Sequence, residues 1–262
     1  MMRAMWSAAA GMTAQAYNMD TISNNLANVN TSGYKRARAE FQDLLYQTVN
    51  LAGTSSSLNT QLPIGIQVGH GAKLQAVQHQ YTTGSFKGTA GEWDLAIEGK
   101  GFFQVTMPDG TIAYTRDGSF SKDQNGDIVT PAGYQLVPNI NVPQDALSIT
   151  VAKDGTVSVT QPGQPLPQEI GQITLVNFIN PAGLNHIGSN LLLQTLASGD
   201  PIEGQAGTDG LGNIAQGYLE MSNVDVADEM VNMIVGQRAY EANSKTIRTV
   251  DDMLSVVTNL KR

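Results

Sequence analysis

The stretch Met5-Trp6-Ser7-Ala8-Ala9-Ala10-Gly11-Met12-Thr13-Ala14-Gln15-Ala16-Tyr17-Asn18-Met19-Asp20-Thr21-Ile22-Ser23-Asn24-Asn25-Leu26-Ala27-Asn28-Val29 decides the fold. Apolar residues recur at alternating steps of three and four: Met5, Ala8, Met12, Met19, Ile22, Leu26 and Val29, with polar Gln15 holding one place in the series. That is the spacing of a helix built to pack along one stripe. Alanines at 4, 9, 10, 14 and 16 add helix propensity and let a neighbour approach closely. The pattern predicts a helix over 3–28, about 39 Å long at ~1.5 Å per residue. The asparagines that follow, then Gly33, supply the stop.

The other end of the chain repeats the design. Met233, Tyr240, Ile247, Val250, Leu254 and Val257 form a second seam, led in by Val226 and Met230 and interrupted at Gly236 and Asn243. Ser222, Asn223 and Asp225 offer capping oxygens, and Asp225, Asp228 and Glu229 put negative charge where a helix dipole favours it. Lys261 and Arg262 give the matching sign at the far end of a helix predicted over 225–260. Met2, Trp6, Tyr17, Val231, Ile234, Val235, Met253 and Val256 fall off both stripes. Two helices cannot cover so much apolar surface on each other, and helices with a second apolar face find partners in other chains. Repeated head-to-tail, such a contact generates an open helical assembly.

Between the ends the composition changes. All ten prolines lie between Pro63 and Pro201, and 24 of the 27 glycines lie between 46 and 223. Residues 1–45 carry four basic and three acidic side chains, residues 224–262 five and six, and the segment between them six and 14. The whole balance of −8 therefore sits in the middle of the 262 residues. Short β-rich runs at Asp94–Ile97, Phe102–Thr106, Thr111–Thr115, Ser148–Val151, Thr156–Thr160 and Gln172–Phe178 alternate with Asp-Gly and Asn-Gly turns. The reading is α+β with a mainly β centre: long terminal helices paired as a coiled-coil-like inner domain, with a β-rich sandwich- or barrel-like middle domain. The polar stretch Asn50–Gln61 and the glycine-rich Ser198–Gly212 read as loose connections.

Motifs of chemistry fail on inspection. An acidic chain with this balance excludes a basic nucleic-acid footprint. The absence of cysteine removes disulfides, thiol nucleophiles and thiolate metal sites. Asp123-Gln124-Asn125-Gly126-Asp127 resembles the start of a calcium loop, but the glycine comes two places early and Tyr134 stands where a bidentate Glu belongs. An Asn-Gly hairpin turn accounts for it. His70, His79 and His186 are isolated, and Gly99-Lys100-Gly101 lacks the form of a phosphate loop. Paired carboxylates of a glycosidase type remain as an alternative within the acidic middle, although most acids there sit in turns. Arg3, the run Ala4–Met12 and Ala14-Gln15-Ala16 imitate a secretory signal, yet the apolar run is short and the seam continues past the apparent cut. No cleaved signal, no membrane-spanning helix and no cofactor or metal are expected.

Ser23-Asn24-Asn25-Leu26-Ala27-Asn28-Val29-Asn30-Thr31-Ser32-Gly33-Tyr34-Lys35-Arg36 resembles the signature of the bacterial flagellar rod and hook axial proteins. The similarity continues through Phe41–Gln47, Asp94–Val105 and Tyr114–Phe120, then Ser222–Asp225, Glu229–Ile234 and Gln237–Lys245. It is weakest over Asn50–Gln61. Its motif positions are Asn24, Asn25, Ala27, Asn28, Thr31, Gly33, Tyr34 and Lys35. Within the family, the length and the segments Leu44–Gln47 and Gly65–Gly69 fit the distal rod better than proximal-rod or hook-type members.

The resemblance implies a structural subunit of the flagellar basal body, exported by the flagellar type III apparatus, which polymerises in the periplasm into a straight hollow shaft reaching the outer membrane and transmitting torque. Its implied partners are further copies of itself, proximal rod proteins, the hook protein, the wall and outer-membrane rings, the rod cap and the export apparatus. The expected organisation is an N-terminal helix over 1–30, an extended stiffening segment over 31–75, a β-rich outer domain over 76–197, a connector over 198–223 and a C-terminal helix over 224–262. A wall-processing enzyme is the rival class.

Overall fold

The computed structural model describes residues 2–52, 55–57, 60–61, 63–163 and 166–259. The 50–61 stretch therefore falls in part, and Lys261 and Arg262 wholly, outside the described residues. The chain divides into two compact units: Met1–Leu26 with Ala37–Gln78 and Asp225–Arg262, and Ala27–Arg36 with His79–Val224.

In the first unit, α1 (Met2–Ala27) and α2 (Val226–Asn259) are the long helices that the seams predict. Asp225 caps α2: its Oδ1 accepts the amide of Ala227 at 2.8 Å and that of Asp228 at 3.4 Å. Asp228 and Glu229 occupy the first turn, on the favourable end of the dipole. A β-carbon on Gly11 would lie 2.9 Å from Asn243 Nδ2, and one on Gly236 would lie 3.4 Å from Met19 Cγ. Residue 11 thus faces 243 while 19 faces 236, so the helices run antiparallel. The positions that interrupt the α2 seam, Gly236 and Asn243, are thus themselves contacts with α1.

Residues 37–79 form a nested ribbon. Ala37–Asp43 pairs with Ala72–His79, Tyr46–Asn50 pairs antiparallel with Ile66–Gly69, and Ser55–Ser57 antiparallel with Thr60–Gln61. The segment expected as one extended linker over 31–75 is therefore split. Residues 31–36 belong with the β unit, and the paired strands that follow belong with the helical unit. Phe41, Leu45, Tyr46, Val49, Leu51, Ile64 and Ile66 are exposed on this ribbon.

The β unit is built on a seven-stranded antiparallel sheet in the order Ser121–Lys122, Ile128–Val129, Gln135–Val137, Phe103–Thr106, Ile112–Thr115, Leu191–Leu193, Asn185–Gly188. Successive side chains of a strand point to opposite faces, and here both faces are buried. Phe103, Ala113 and Leu191 enter one core with Leu95, Ile97 and Ile173. Their neighbours Phe102, Tyr114 and Leu192 enter a second with Val176, Phe178 and Leu184. This is why the sequence there reads as continuous apolar runs rather than as a strict alternation. A three-stranded sheet of Ser148–Val151, Thr156–Thr160 and Gln168–Gln172 closes over the first core.

The stretch 198–223 is not a connector. Ile202–Gln205 pairs with Thr174–Asn177, Asn213–Gln216 with Leu95–Glu98, and Tyr218–Glu220 with Phe86–Gly88. Its glycines make turns between short strands, and Ala206, Leu211 and Ile214 are buried in the first core. Composition shows the turns, while two of the three strands hold by backbone pairing to segments more than a hundred residues away.

Candidate functional site

Two features of the chain carry functional weight: the apolar faces of the terminal helices, and a buried charge cluster in the β unit. Of the predicted seam residues, Ile22 and Val250 are buried, and Met5, Met12, Met19, Leu26, Met233, Ile247 and Leu254 are half-buried. Tyr240 and Val257 are 40% and 51% exposed, so the seam expected there is not closed within one chain. Val29 is not part of the helical seam at all. α1 ends at Ala27, and the amide and hydroxyl of Thr31 both donate to Asn28, turning the chain into the β unit. The eight apolar residues that lie off the stripes are all exposed. On α2, Val226, Met230 and Ile234 recur at every fourth place with Val231 and Val235 beside them, a second apolar face left exposed among the described residues.

The motif after α1 does local work. Asn25 is buried, and its amide imitates a strand partner: Nδ2 donates to Ala37 O and Oδ1 accepts Ala37 N–H, both at 2.8 Å. Asn24 and Ala27 lie exposed on the helix, and Tyr34 meets His79 edge-on at 6.5 Å between ring centroids. Gly33 has φ +69°, and a β-carbon there would stand 2.7 Å from the backbone at Arg116–Asp117. Only glycine satisfies both demands. Its amide donates to Glu220 O at 2.8 Å.

That close approach brings Lys35 into a buried knot. Lys35 Nζ donates to Glu220 Oε1 at 2.6 Å and to Thr82 O at 2.8 Å. Arg116 Nε donates to Glu220 Oε2 at 2.5 Å, and Gly84 N–H to Glu220 Oε1 at 2.9 Å. The rest of the Arg116 guanidinium is wrapped by carbonyls of Gly101, Ile97 and Gly99. The Gly99-Lys100-Gly101 turn, unexplained as a ligand loop, is thus a cradle for Arg116. Its glycines adopt φ of +130° and +137° so that their carbonyls face inward. Side-chain exposure is 4% for Lys35, 7% for Arg116 and 1% for Glu220.

Two cations share one carboxylate, and the electrostatics follow. Burial alone would raise the Glu220 carboxyl, but Arg116 and Lys35 outweigh it and hold it below the usual carboxylate range. Lys35 goes the other way for an amine: burial lowers it, Glu220 opposes, and Arg116 lowers it further. Beside the knot, Asn223 accepts the amide of Arg36 at 2.7 Å and donates to Gln80 O at 2.9 Å and Thr82 Oγ1 at 2.8 Å. Segments 33–36, 80–84 and 220–223 are therefore pinned to one another just inside three of the places where the chain passes between units. His79 Nδ1 contacts Lys35 O at 3.0 Å, and its ring stacks on His186 at 3.8 Å. Desolvation by the groups packed against its ring, then His79, lowers the His186 imidazole to about 4, although part of the residue faces solvent.

Glu220 was not legible as part of this site. Lys35 and Arg116 stand inside quoted motifs, whereas Glu220 is a single acid in Tyr218-Leu219-Glu220-Met221. The one available signal was an acid flanked by apolar residues on both sides.

Paired terminal helices with exposed apolar faces, in a chain that also carries an antiparallel β unit whose ends are knotted together, define a structural assembly protein. Family models agree along the chain: flagella basal body rod protein over residues 5–35, flagellar hook protein FlgE/F/G D1 domain over 96–159, and flagellar basal body rod FlgEFG protein C-terminal over 215–260. The chain belongs to the flagellar rod and hook protein family. It is 55% identical to the flagellar basal-body rod protein FlgG of Borreliella burgdorferi over the full length of both chains. To the proteins of the same name in Caulobacter vibrioides and Bacillus subtilis it is 49% and 39% identical, over 99% and 100% of this chain and the whole of each relative. No helix among the described residues is long and apolar enough to cross a membrane.

Proposed function

We propose that this chain is a distal-rod subunit of the flagellar basal body, which polymerises into a straight hollow shaft between proximal rod and hook and transmits torque. The observation that carries this is the uncovered apolar face on each terminal helix, in a full-length relative of proteins named as rod subunits. Each large side chain fully buried at such a contact contributes about 1.5–3 kcal/mol before ordering costs. Repetition along a polymer multiplies the term. The pinned segments around Glu220 suit a part that must pass force without yielding.

The role is structural rather than catalytic. Several of the carboxylates between 92 and 127 are engaged by their own neighbourhood. Asp109 Oδ1 accepts from the amide and hydroxyl of Thr111. Asp117 accepts from Ser119 and Asn190, and Asp127 from Asn141. On this reading its partners are proximal rod proteins, hook protein, wall and outer-membrane rings, rod cap and export apparatus, and it is exported without a cleaved signal. Electron microscopy of the purified chain tests the reading. Tubes are expected from the native sequence and none from Ile234→Asp, with an unchanged thermal transition of the subunit. An absence of tubes from the native chain under all conditions of concentration and salt would overturn it.

A further inference from the structure

The knot around Glu220 holds one more positive than negative charge, and a cavity of about 620 Å³ lies beside it. Lys35 and Arg116 line the cavity together with Lys100, the exposed tip of the loop that cradles Arg116. Tyr81, Phe102 and Phe178 supply apolar wall. Ile179 and Ile202, 81% and 50% exposed, also line it. Every charged side chain of the lining is cationic. Glu203, next to Ile202, does not line the cavity and accepts from Gln104 Nε2 at 2.9 Å. Of the five N–H donors of Arg116, one has no partner among the described residues. A cationic hollow with a donor turned toward it attracts an acceptor of opposite sign.

We propose that this cavity receives an acidic side chain of a second copy of the chain. Its carboxylate would meet Lys100 and Arg116, and an adjacent apolar residue would cover Ile179 and Ile202. Charge complementarity selects this occupant. The cavity is a cationic hollow in a segment, 46–223, that carries the entire −8 balance, so the surface of another copy is rich in carboxylates. The exposed isoleucines favour a chain segment over a free ion, which would leave them in water. The proposal rests on the rod-subunit reading, because that reading is what brings copies together.

The test uses the full-length chain. Ordinary and isotope-labelled copies are mixed and treated with a zero-length carbodiimide cross-linker, and linked peptides are assigned by mass spectrometry. Lys100 is expected to join an Asp or Glu of a different copy. Lys100→Glu is expected to raise the concentration needed for assembly about tenfold, the loss of one interfacial charge pair. Lys122→Glu, an exposed lysine that does not line the cavity, should leave it unchanged. Both variants should keep the native circular dichroism. Intermolecular Lys100 links without tubes would retain this contact and sink the rod reading. Tubes without such links, and with full assembly of Lys100→Glu, would overturn the contact and keep the rod reading. A thermal midpoint of the dilute chain raised by acetate, with no link at Lys100, would make the occupant a free carboxylate and overturn the proposal.

Discussion

Lys35 and Glu220, 185 positions apart in sequence, meet at 2.6 Å in a place where neither side chain is more than 4% exposed. The pair sits where the chain enters the β unit after α1 and leaves it before α2, and Arg116 completes it from the middle of the sequence. Breaking it from either side has unequal consequences. Glu220→Gln leaves two buried cations without a counter-charge and should cost about 3–5 kcal/mol. Lys35→Met removes the surplus charge and keeps the Arg116–Glu220 pair, so it should cost less. Urea unfolding of the two variants measures the difference, and equal losses would contradict the charge count.

Arg116 is held by its fork as well as its charge. A lysine at 116 keeps the charge but cannot donate to Glu220 and three carbonyls at once. Arg116→Lys should therefore destabilise by about 2–3 kcal/mol, the cost of leaving buried acceptors unpaired. A thermal midpoint within a degree or so of the native chain would show that the carbonyl cradle is not needed.

Stability should depend on pH in two separate windows. The unfolded His186 imidazole titrates near 6.5 and the folded one near 4. Between those values the unfolded chain binds more protons, so its stabilisation is complete above about 6.5, is lost as pH falls, and levels off below about 4. His186→Phe preserves a ring for stacking on His79 and should flatten that slope. Glu220 acts lower. Its carboxyl is held below 4.5, so its contribution disappears only as pH falls beneath that value. Unfolding free energies over a pH series, with and without His186→Phe, separate the two; an unchanged slope between 6.5 and 4 would remove His186 from the account.

The helix crossing makes a sharper demand on size. Gly236→Ala puts a methyl at ordinary contact distance from Met19 and removes a helical glycine. It should be neutral or stabilising by up to about 1 kcal/mol. Gly236→Leu has no room and should part the helices. The helical signal at 222 nm and its melting midpoint report both outcomes, and a destabilised alanine variant would show that the approach is closer than it is drawn.

Sequence and structure agree where the physics is local. The limits of α1 and α2 follow from the spacing of Met5 to Leu26 and of Val226 to Leu254, and from Asp225 as a cap, because helix periodicity and capping act over three or four residues. The Asn125-Gly126 turn is legible for the same reason. The ribbon over 37–79 and the strands within 198–223 were less so, because their partners are set by tertiary pairing rather than by any neighbour in sequence.

By itself, then, the sequence determined two Pro-free terminal helices with more apolar surface than they can share, an acidic turn-rich centre, and a motif whose asparagines and Gly33 stop the first helix. The tertiary structure alone decided that Gly33 lies against Arg116, that Lys35 and Arg116 converge on Glu220, and that Gly236 is a contact rather than a flaw in the seam. The physical reason is range. Periodicity and turn chemistry are properties of adjacent residues, whereas a buried charge must find its counter-ion wherever the fold brings one.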